Sequence, residues 1–179
     1  MNETIHLQTP LCADDILKLH AGDAVMLSGT IYTARDAAHK RMVEMLERGE
    51  TMPFPFDGAA VFYAGPCPNP PGAVIGSIGP TTSGRMDAYA PTLMREGLRV
   101  MIGKGNRNEA VVETMQETGS VYLAAIGGIA ALMSACVKSV RVVAFEDLGT
   151  EAVRELVVEG LPLVVAIDAC GASVYVVEG

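Results

Sequence analysis

The sequence predicts an α/β fold built on a mainly parallel sheet. Segments with strand-like and helix-like apolar spacing alternate along the chain, which is typical of parallel strands joined by helical crossovers. The first strands are joined by loops instead, which suggests a separate β layer and favours a β/β/α arrangement over a plain doubly wound sheet. The 179 residues are half apolar, so we expect one domain over residues 1–179 with a substantial core.

In the first half, runs rich in Val, Ile and Ala predict strands, 3.6-residue apolar spacing predicts helices, and glycine and proline mark their ends. The helix over 35–48 has Ala38 and Met42 on one face and stops at Gly49. A Pro-rich loop at 65–71 cannot continue a sheet. The other predicted elements are a short strand at Leu7, a helix at 12–19, strands at 24–32, 59–64 and 73–78, a helix at 86–96 and a strand at 98–102.

The second half repeats the alternation of strands and helices. The same signals predict, in order, a helix that follows the 103–106 turn and ends at 118, a strand at 121–126, a helix at 129–137, a strand at 139–145, a helix at 150–158 and strands at 163–168 and 173–177. A turn at Gly171 pairs the last two strands in this prediction.

The charge balance argues against a nucleic-acid partner. Thirteen basic and 21 acidic residues give a net charge of −8 and a pI near 4.8, whereas nucleic acid is usually met by a basic face. The most apolar stretch, residues 121–137, is interrupted by Gly127, Gly128 and Ser134 and falls short of a membrane span. The first residues are polar and acidic, unlike a signal peptide. We therefore expect a soluble cytoplasmic protein without a nucleic-acid or membrane partner.

The four cysteines do not form a metal-binding pattern. Cys12, Cys67, Cys136 and Cys170 are far apart in sequence, and none lies beside a histidine. A metal or iron–sulfur site held by this chain alone is therefore not expected. We interpret Cys136 as a small core residue in an apolar helix, and leave the roles of Cys67 and His39 open.

One segment concentrates ligand-binding features. Residues 78–86 read Ile-Gly-Pro-Thr-Thr-Ser-Gly-Arg-Met, so two glycines, a proline, three hydroxyls and a fixed positive charge share nine positions. Glycine lets the backbone approach a ligand closely, and hydroxyls and backbone N–H groups bind anions. The Arg85 guanidinium can hold a carboxylate with two parallel bonds. The alternative is an ordinary turn between two strands.

Three further segments follow predicted strands, where α/β proteins usually place ligands. In residues 28–40, Arg35 lies where a strand gives way to a helix, whose N-terminal N–H groups favour an anion. Residues 63–68 carry a Gly-Pro-Cys-Pro loop. In residues 103–107, glycines on both sides of Lys104 permit a tight turn that directs its ammonium at a ligand. This last signal is weak alone, and the Walker A pattern is absent from the sequence.

Together these segments resemble the signature of the class I fumarate hydratase family, in its C-terminal domain or separate β subunit. That family includes the β subunit of L(+)-tartrate dehydratase. The resemblance covers about residues 5–178 and is carried by residues 28–40, 63–66, 78–87, 102–105, 146–152 and 168–171. It implies a swivelling β/β/α domain that closes over a [4Fe-4S] cluster. The cluster is then held by another domain or by an α subunit with three cluster cysteines, which agrees with the lack of cluster spacing here.

The resemblance implies which residues bind the substrate, a small dicarboxylate. Arg35 and Arg85 resemble the arginines that hold substrate carboxylates, and Gly79 and Thr82 belong to the same predicted binding set. Removing a proton from the carbon next to a carboxylate builds up charge on that carboxylate, which arginine and iron can stabilise.

The resemblance also implies which residues carry the chemistry. Thr81 resembles the hydroxyl proposed as the catalytic base, and Lys104 resembles a lysine beside it. A threonine hydroxyl is a poor base unless a neighbouring cation stabilises its alkoxide, which gives Lys104 a role.

We therefore predict the β subunit of an iron–sulfur hydro-lyase, with (S)-malate ⇌ fumarate + water as the first candidate reaction. The first alternative is an L(+)-tartrate dehydratase, which forms oxaloacetate from a substrate with one more hydroxyl. The alternative of another class is a non-catalytic dicarboxylate-binding or assembly module, which would keep the arginines but need neither Thr81 nor Lys104. The expected assembly is a dimer of αβ pairs, or a homodimer when the chain is isolated.

Overall fold

A long antiparallel ribbon organises the sheet. The computed structural model describes residues 3–125 and 130–175. The strands in these residues are β1 (Ile5–Gln8), β2 (Ala24–Thr33), β3 (Ala60–Phe62), β4 (Val100–Gly103), β5 (Val121–Ala125), β6 (Val137–Ala144) and β7 (Val153–Ile167). Strands β2 and β7 form the ribbon through nine residue pairs. Strands β1 and β3 pair with β2, strands β5 and β6 pair with β7, and β4 joins β3 to β5.

Helices connect the strands along the chain. They are α1 (Ala13–Leu17), α2 (Asp36–Glu47), α3 (Ala90–Arg95), α4 (Glu109–Thr118) and α5 (Ala130–Ala135), with 3-10 segments at Ser83–Met86 and Glu146–Glu151. Helix α4 shows how local sequence sets the ends: the Asn108 side chain accepts the Val111 N–H at 2.9 Å, and Gly119 ends the helix in the left-handed region, a conformation that glycine adopts without strain.

Five strands close into a small barrel. The order β2-β3-β4-β5-β7 returns to β2, while β1 and β6 pair at the outer edges of β2 and β7. Strands β1 to β5 are parallel to their neighbours, but β7 runs antiparallel to β2, β5 and β6. The α/β class is confirmed. The sheet is mixed, because β7 opposes each of its partners while the other six strands run in one direction. The early strands β1 to β3 join this same mixed sheet.

The prediction of a helix over 150–158 is wrong. Val153, Leu156 and Val158 are buried in strand β7, and their spacing was compatible with a helical face as well as with an irregular strand. Pairing with β2 on one edge and β6 on the other decides for the strand. Pro162 pairs with β2 on one edge of β7, and on the other edge it lies between the residues that pair with β6 and those that pair with β5. This second edge has no partner strand at Pro162, so the missing N–H removes no ladder bond.

Three other predicted elements are corrected. Residues 73–78 form an irregular segment instead of a strand. The helix over 86–96 divides into the Ser83–Met86 3-10 segment and α3. The last strand is reduced to a bridge between Ile167 and Ser173. Its final residues, together with the predicted end of β5 at 126 and start of α5 at 129, lie outside the described residues.

The core lies on both faces of the sheet, because neighbouring strand residues point to opposite faces. Phe62, Ile102 and Leu123 belong to a buried cluster on the inner face of the barrel. Their neighbours belong to a second buried cluster under α2, α3 and α4: Val61, Met101 and Tyr122 with Ala38, Met42, Leu93, Met94, Val111 and Met115. The barrel is thus packed on both sides, and the loops at its carboxyl edge rest on a fixed frame.

Candidate active site at the carboxyl edge of the sheet

The candidate site lies at the edge where parallel strands β2, β3 and β4 end. Carboxyl ends of parallel strands meet at one edge, which is the usual ligand position in α/β proteins. Hydrogen bonds join the segments that follow these strands. The Ala34 N–H donates to the Phe62 carbonyl at 3.1 Å, and the Tyr63 N–H donates to the Ile102 carbonyl at 2.8 Å. The segment after β5, at 126–129, lies outside the described residues.

Thr81 and Lys104 lie on paired backbone segments. The Thr81 N–H donates to the Tyr63 carbonyl at 2.6 Å, and the Ser83 N–H donates to the Lys104 carbonyl at 2.9 Å. Thr82 forms a parallel bridge with Lys104. This pairing sets the backbone of Thr82 directly beside that of Lys104 and Thr81 one residue away.

Glycine permits this close approach. A Cβ atom at Gly103 would collide with the Ser83 hydroxyl, so any larger residue would push the two segments apart. Gly79, a member of the predicted binding set, is half-buried, and Thr82 is exposed. A Cβ atom at Gly79 would lie 3.5 Å from the Ala130 Cβ, so this glycine faces the start of α5.

Arg35 lies at the junction of β2 and α2, as the sequence predicts. Its side chain is 25% exposed, and the Glu151 Oε1 atom lies 4.0 Å from its Nε. That Nε is buried and has no hydrogen-bond partner among the described residues. A Cβ atom at Gly65 would lie 3.3 Å from the Arg35 Cδ, so the arginine side chain rests against the loop after β3.

The Glu146–Glu151 segment packs against the start of α2. The Glu151 Oε1 atom accepts the Ala37 N–H at 3.3 Å, one of the amides that a helix leaves unpaired at its start. The Arg41 guanidinium binds both oxygens of Asp147, at 2.8 and 2.9 Å, and this hydrogen bonding lowers the pKa of the Asp147 carboxyl. The 146–152 motif therefore lies over the helix that begins beside Arg35.

Arg85 reaches the same helix from the Ser83–Met86 segment. Its terminal nitrogen lies 3.7 Å from the Asp36 Oδ2 atom, and its side chain is 53% exposed. Because Asp36 follows Arg35 directly, the structure brings both predicted carboxylate-binding arginines to the start of α2. They are 50 residues apart in sequence, and only the fold makes them neighbours.

His39 is turned into the core, although it lies one helical turn after Arg35. Its Nδ1 atom is 2.8 Å from the Arg35 carbonyl oxygen, and because a carbonyl only accepts, this nitrogen carries the proton. The ring packs edge-on against Tyr63 with centroids 5.1 Å apart. Burial lowers the pKa of His39 to about 4, so the imidazole is neutral at pH 7.

The depressed pKa of His39 predicts a loss of stability in mild acid. The unfolded chain binds a proton at this histidine below about pH 6.5, whereas the folded chain does so only near pH 4. Stability from this residue is therefore fully present above pH 6.5 and decreases by roughly 3 kcal/mol as the pH falls to 4. Denaturant unfolding across this range should show a flatter pH dependence for His39→Gln. The exposed His20→Gln is the control, and an unchanged slope in His39→Gln would contradict the assignment.

A buried ion pair that no sequence pattern indicates lies next to the site. The Arg107 guanidinium is fully buried, and its Nε donates to the Asp87 Oδ1 atom at 2.6 Å. Both residues end segments that the sequence singles out, at 103–107 and 78–87. Their composition indicates ligand binding, but no local spacing indicates that residues 20 apart will pair inside the core.

The four cysteines do not gather into a metal site. Within the described residues, no group of three His, Cys, Asp or Glu side chains has an arrangement able to hold a metal ion. Cys12, Cys67 and Cys170 are exposed free thiols, and Cys136 is partly buried. Cys136 lies after α5, with its Sγ 3.4 Å from the Leu132 carbonyl, and packs against the inner core cluster from its rim. These residues do not fit an iron–sulfur cluster held by the described part of this chain.

The described residues also contain no helix with the length and apolar character needed to cross a membrane.

Comparison with known proteins places the chain in one family. Residues 1–177 match the protein family described as Fumarase C-terminus. The putative L(+)-tartrate dehydratase subunit beta of Methanocaldococcus jannaschii is 43% identical over 171 residues, which cover 92% of this chain and 88% of that subunit.

Two fumarate hydratases match over a smaller share of their own length. Fumarate hydratase 2 of Leishmania major is 40% identical over 156 residues, or 86% of this chain and 28% of that protein. The aerobic class I fumarate hydratase of Escherichia coli K12 is 39% identical over 147 residues, or 81% of this chain and 27% of that protein. The chain thus spans little more than a quarter of these fumarate hydratases. With a match over nearly its whole length and relatives near 40% identity, the chain belongs to the Fumarase C-terminus family.

Proposed function

We propose that the chain is the β subunit of an iron–sulfur-dependent hydro-lyase, with the interconversion of (S)-malate and fumarate plus water as its first candidate reaction. The observation that carries this proposal is the meeting of four predicted residues at one sheet edge. Arg35 directly precedes Asp36, and Arg85 lies 3.7 Å from the Asp36 carboxylate at the start of α2. Thr81 and Lys104 lie on paired segments after β3 and β4.

The two arginines would bind the dicarboxylate. Each guanidinium can hold a carboxylate bidentately, and the α2 N-terminus adds a favourable field for negative charge. The backbone at Gly79 and the hydroxyl of Thr82 belong to the same proposed binding set. Arg85 is half exposed, so its terminal nitrogens are open to a ligand that approaches this edge.

Thr81 and Lys104 would carry the proton transfer. The Thr81 oxygen takes a proton from the carbon next to a carboxylate, and the electron pair of that C–H bond forms the C=C bond as the hydroxyl leaves the neighbouring carbon as hydroxide. The hydroxide and the proton taken up by Thr81 together make the released water, which returns Thr81 to its starting state. The Lys104 ammonium lowers the free energy of the alkoxide that Thr81 must present, because an adjacent cation favours the charged form. The arginines stabilise the charge that develops on the carboxylate in the transition state.

The proposed [4Fe-4S] cluster belongs to a partner α subunit with three cluster cysteines. The near-full-length match to a protein named as a beta subunit supports a separate partner, as does the spread of the cysteines over unrelated elements. In this proposal the chain is a swivelling β/β/α domain that closes over the cluster, in a dimer of αβ pairs. The isolated chain would be a homodimer.

L(+)-tartrate dehydratase is the second candidate, and the same match to a tartrate dehydratase subunit favours it. The two substrates differ by one hydroxyl, which a few pocket contacts discriminate, some of them in the partner subunit. A non-catalytic dicarboxylate-binding module would use the arginines alone.

One experiment tests these alternatives. The tagged chain is purified anaerobically from its host with its bound partner, the cluster is reconstituted, and turnover of malate, fumarate and tartrate is measured. We expect activity in the complex and neither cluster nor turnover in the chain alone. A stable iron–sulfur chromophore in the isolated chain would overturn the two-subunit proposal. Dicarboxylate binding by a cluster-loaded complex without turnover would indicate the non-catalytic module.

Replacing Arg35 or Arg85 with lysine should mainly weaken substrate binding. Lysine keeps the charge but loses the bidentate geometry, and a charge-assisted hydrogen bond contributes about 1.5–3 kcal/mol. We expect KM to rise roughly ten- to a hundredfold with a smaller loss of kcat, because carboxylate pairing exists in both ground and transition states. Arg95→Lys is the matched control, since Arg95 is equally exposed and pairs with Glu117. Unchanged kinetics in both Arg85→Lys and Arg85→Ala would show that Arg85 binds no substrate.

A further inference from the structure

A buried layer of side chains joins the site segments below their surface. Its centre is the guanidinium of Arg107, whose side chain has no exposed area. One of its nitrogens donates to the Asp87 carboxylate at 2.6 Å and another to the Tyr63 hydroxyl at 3.3 Å. The flat group also lies over the rings of Tyr63 and Tyr122, 5.2 and 4.9 Å from their centroids. One buried cation thus contacts three residues distant in sequence.

These contacts end on different site segments. Tyr63 follows β3 and accepts the Thr81 N–H with its backbone carbonyl. Asp87 ends the 78–87 motif, and its second oxygen accepts the Asn108 N–H at 2.7 Å. The Asp87 carboxylate therefore links the 78–87 motif to the start of α4. The Arg107 guanidinium links both to Tyr63, the residue that follows β3.

Tyr122 extends the layer to the two proposed catalytic residues. Its hydroxyl oxygen lies 2.8 Å from the Gly105 carbonyl and 2.8 Å from the Ser83 hydroxyl. A carbonyl only accepts, so the Tyr122 proton goes to Gly105 and the Ser83 hydroxyl donates to Tyr122. Gly105 follows Lys104 in the chain, and Ser83 lies two residues after Thr81. One phenol thus spans the gap between the two segments.

We propose that Arg107 is a positioning residue that fixes the separation of Thr81 and Lys104, acting through Asp87 and Tyr122. A buried ion pair adds little net stability compared with apolar side chains, so its contribution is a single defined arrangement. Lysine cannot replace it, since only a planar guanidinium stacks on two rings while its fork bonds a carboxylate. The inference rests on the proposed function for the proton transfer itself, whereas the register of the two segments is measurable without it.

Two variants separate positioning from overall folding. Arg107→Lys keeps the buried charge but loses the fork, and it risks a folding defect. Tyr122→Phe keeps the ring in the core and removes only the hydroxyl that links Ser83 to Gly105. Ser120→Ala is the control. It deletes a buried hydroxyl that bonds the Leu98 carbonyl just before β5, the strand that holds Tyr122, and at the edge of the sheet opposite to the site.

The first measurement is amide hydrogen exchange in the full chain, without substrate. The Ser83 N–H, which donates to Lys104, and the Thr81 N–H should exchange roughly tenfold faster in Tyr122→Phe and Arg107→Lys than in the wild type. Both should keep wild-type protection in Ser120→Ala. Unchanged exchange at both amides in Tyr122→Phe would overturn the inference.

The second measurement uses the assembled complex with malate deuterated at the carbon that loses its proton. A misplaced base slows proton transfer without weakening carboxylate binding. In Tyr122→Phe and Arg107→Lys, kcat should therefore fall roughly ten- to a hundredfold while KM changes little. The deuterium isotope effect on kcat/KM should rise. Faster exchange of the Thr81 and Ser83 amides in the variants, together with a wild-type kcat and isotope effect, would also overturn the inference. A wild-type complex inactive on every hydroxy diacid would instead overturn the proposed function, and faster exchange in the variants would still support the fixed register.

Discussion

Thr81→Ala is expected to lower the kcat of the assembled enzyme by roughly 10²–10⁴-fold, the contribution typical of a general acid–base group. Substrate binding should persist, because the arginines at the start of α2 are untouched. The Thr81 backbone N–H bonds the Tyr63 carbonyl at 2.6 Å, and alanine keeps that bond, so the segment should stay in place. Steady-state kinetics and a binding measurement with a dicarboxylate inhibitor check both statements.

Two neighbouring variants make this prediction specific. Thr81→Ser keeps the hydroxyl and should retain much more activity than Thr81→Ala. Thr82→Ala removes the hydroxyl that the backbone pairing sets directly beside Lys104, and it should affect KM more than kcat. If Thr82→Ala lost kcat and Thr81→Ala did not, the proton-transfer role would move to Thr82.

Lys104→Met should reproduce the loss of kcat seen in Thr81→Ala. In our proposal the ammonium makes the Thr81 alkoxide accessible, so removing the charge disables the same step. Methionine preserves the length of the side chain, and the backbone pairing of Lys104 with Ser83 does not depend on the side chain. Lys138→Met is the control, since Lys138 is an exposed lysine on β6. A near-normal kcat for Lys104→Met would mean that Lys104 only occupies a turn between two glycines.

A double-mutant cycle tests whether Thr81 and Lys104 act together. Groups that serve one step are strongly non-additive, so the double variant should lose little more activity than either single one. If the losses of kcat in the two single variants multiply in the double variant, the proposed coupling of Thr81 and Lys104 is contradicted. A parallel cycle with Thr82 in place of Thr81 identifies which hydroxyl is coupled to the lysine.

Local signals predicted the helices better than the long strand. Helix α4 is bounded by an Asn cap and a left-handed glycine, both of which act within a few residues and are visible in the sequence. Strand β7 has no such ends. Its first residues were predicted as a helix, and its strand state depends on β2 and β6, which are paired to it from distant parts of the chain.

The site shows the same division. The anion-binding character of Arg35 and of the 78–86 motif follows from residue type and from position after a strand. The neighbours of His39 do not follow from sequence: helical periodicity sets it one turn after Arg35, but burial against Tyr63 makes it a neutral core residue. The Arg107–Asp87 ion pair could not be predicted from the sequence either, because its energy depends on a dielectric environment that only the packed core supplies.

The sequence by itself determined the family, the α/β class, most of the helices and the residue types available for carboxylate binding and proton transfer. These depend on short-range spacing and on side-chain chemistry, both of which are local. Tertiary structure decided the mixed barrel, the approach of Arg85 to Asp36, which directly follows Arg35, and the pairing of the Thr82–Ser83 backbone with Lys104. Each of these joins residues far apart in the chain, and only the side-by-side pairing of strands in the sheet brings them together.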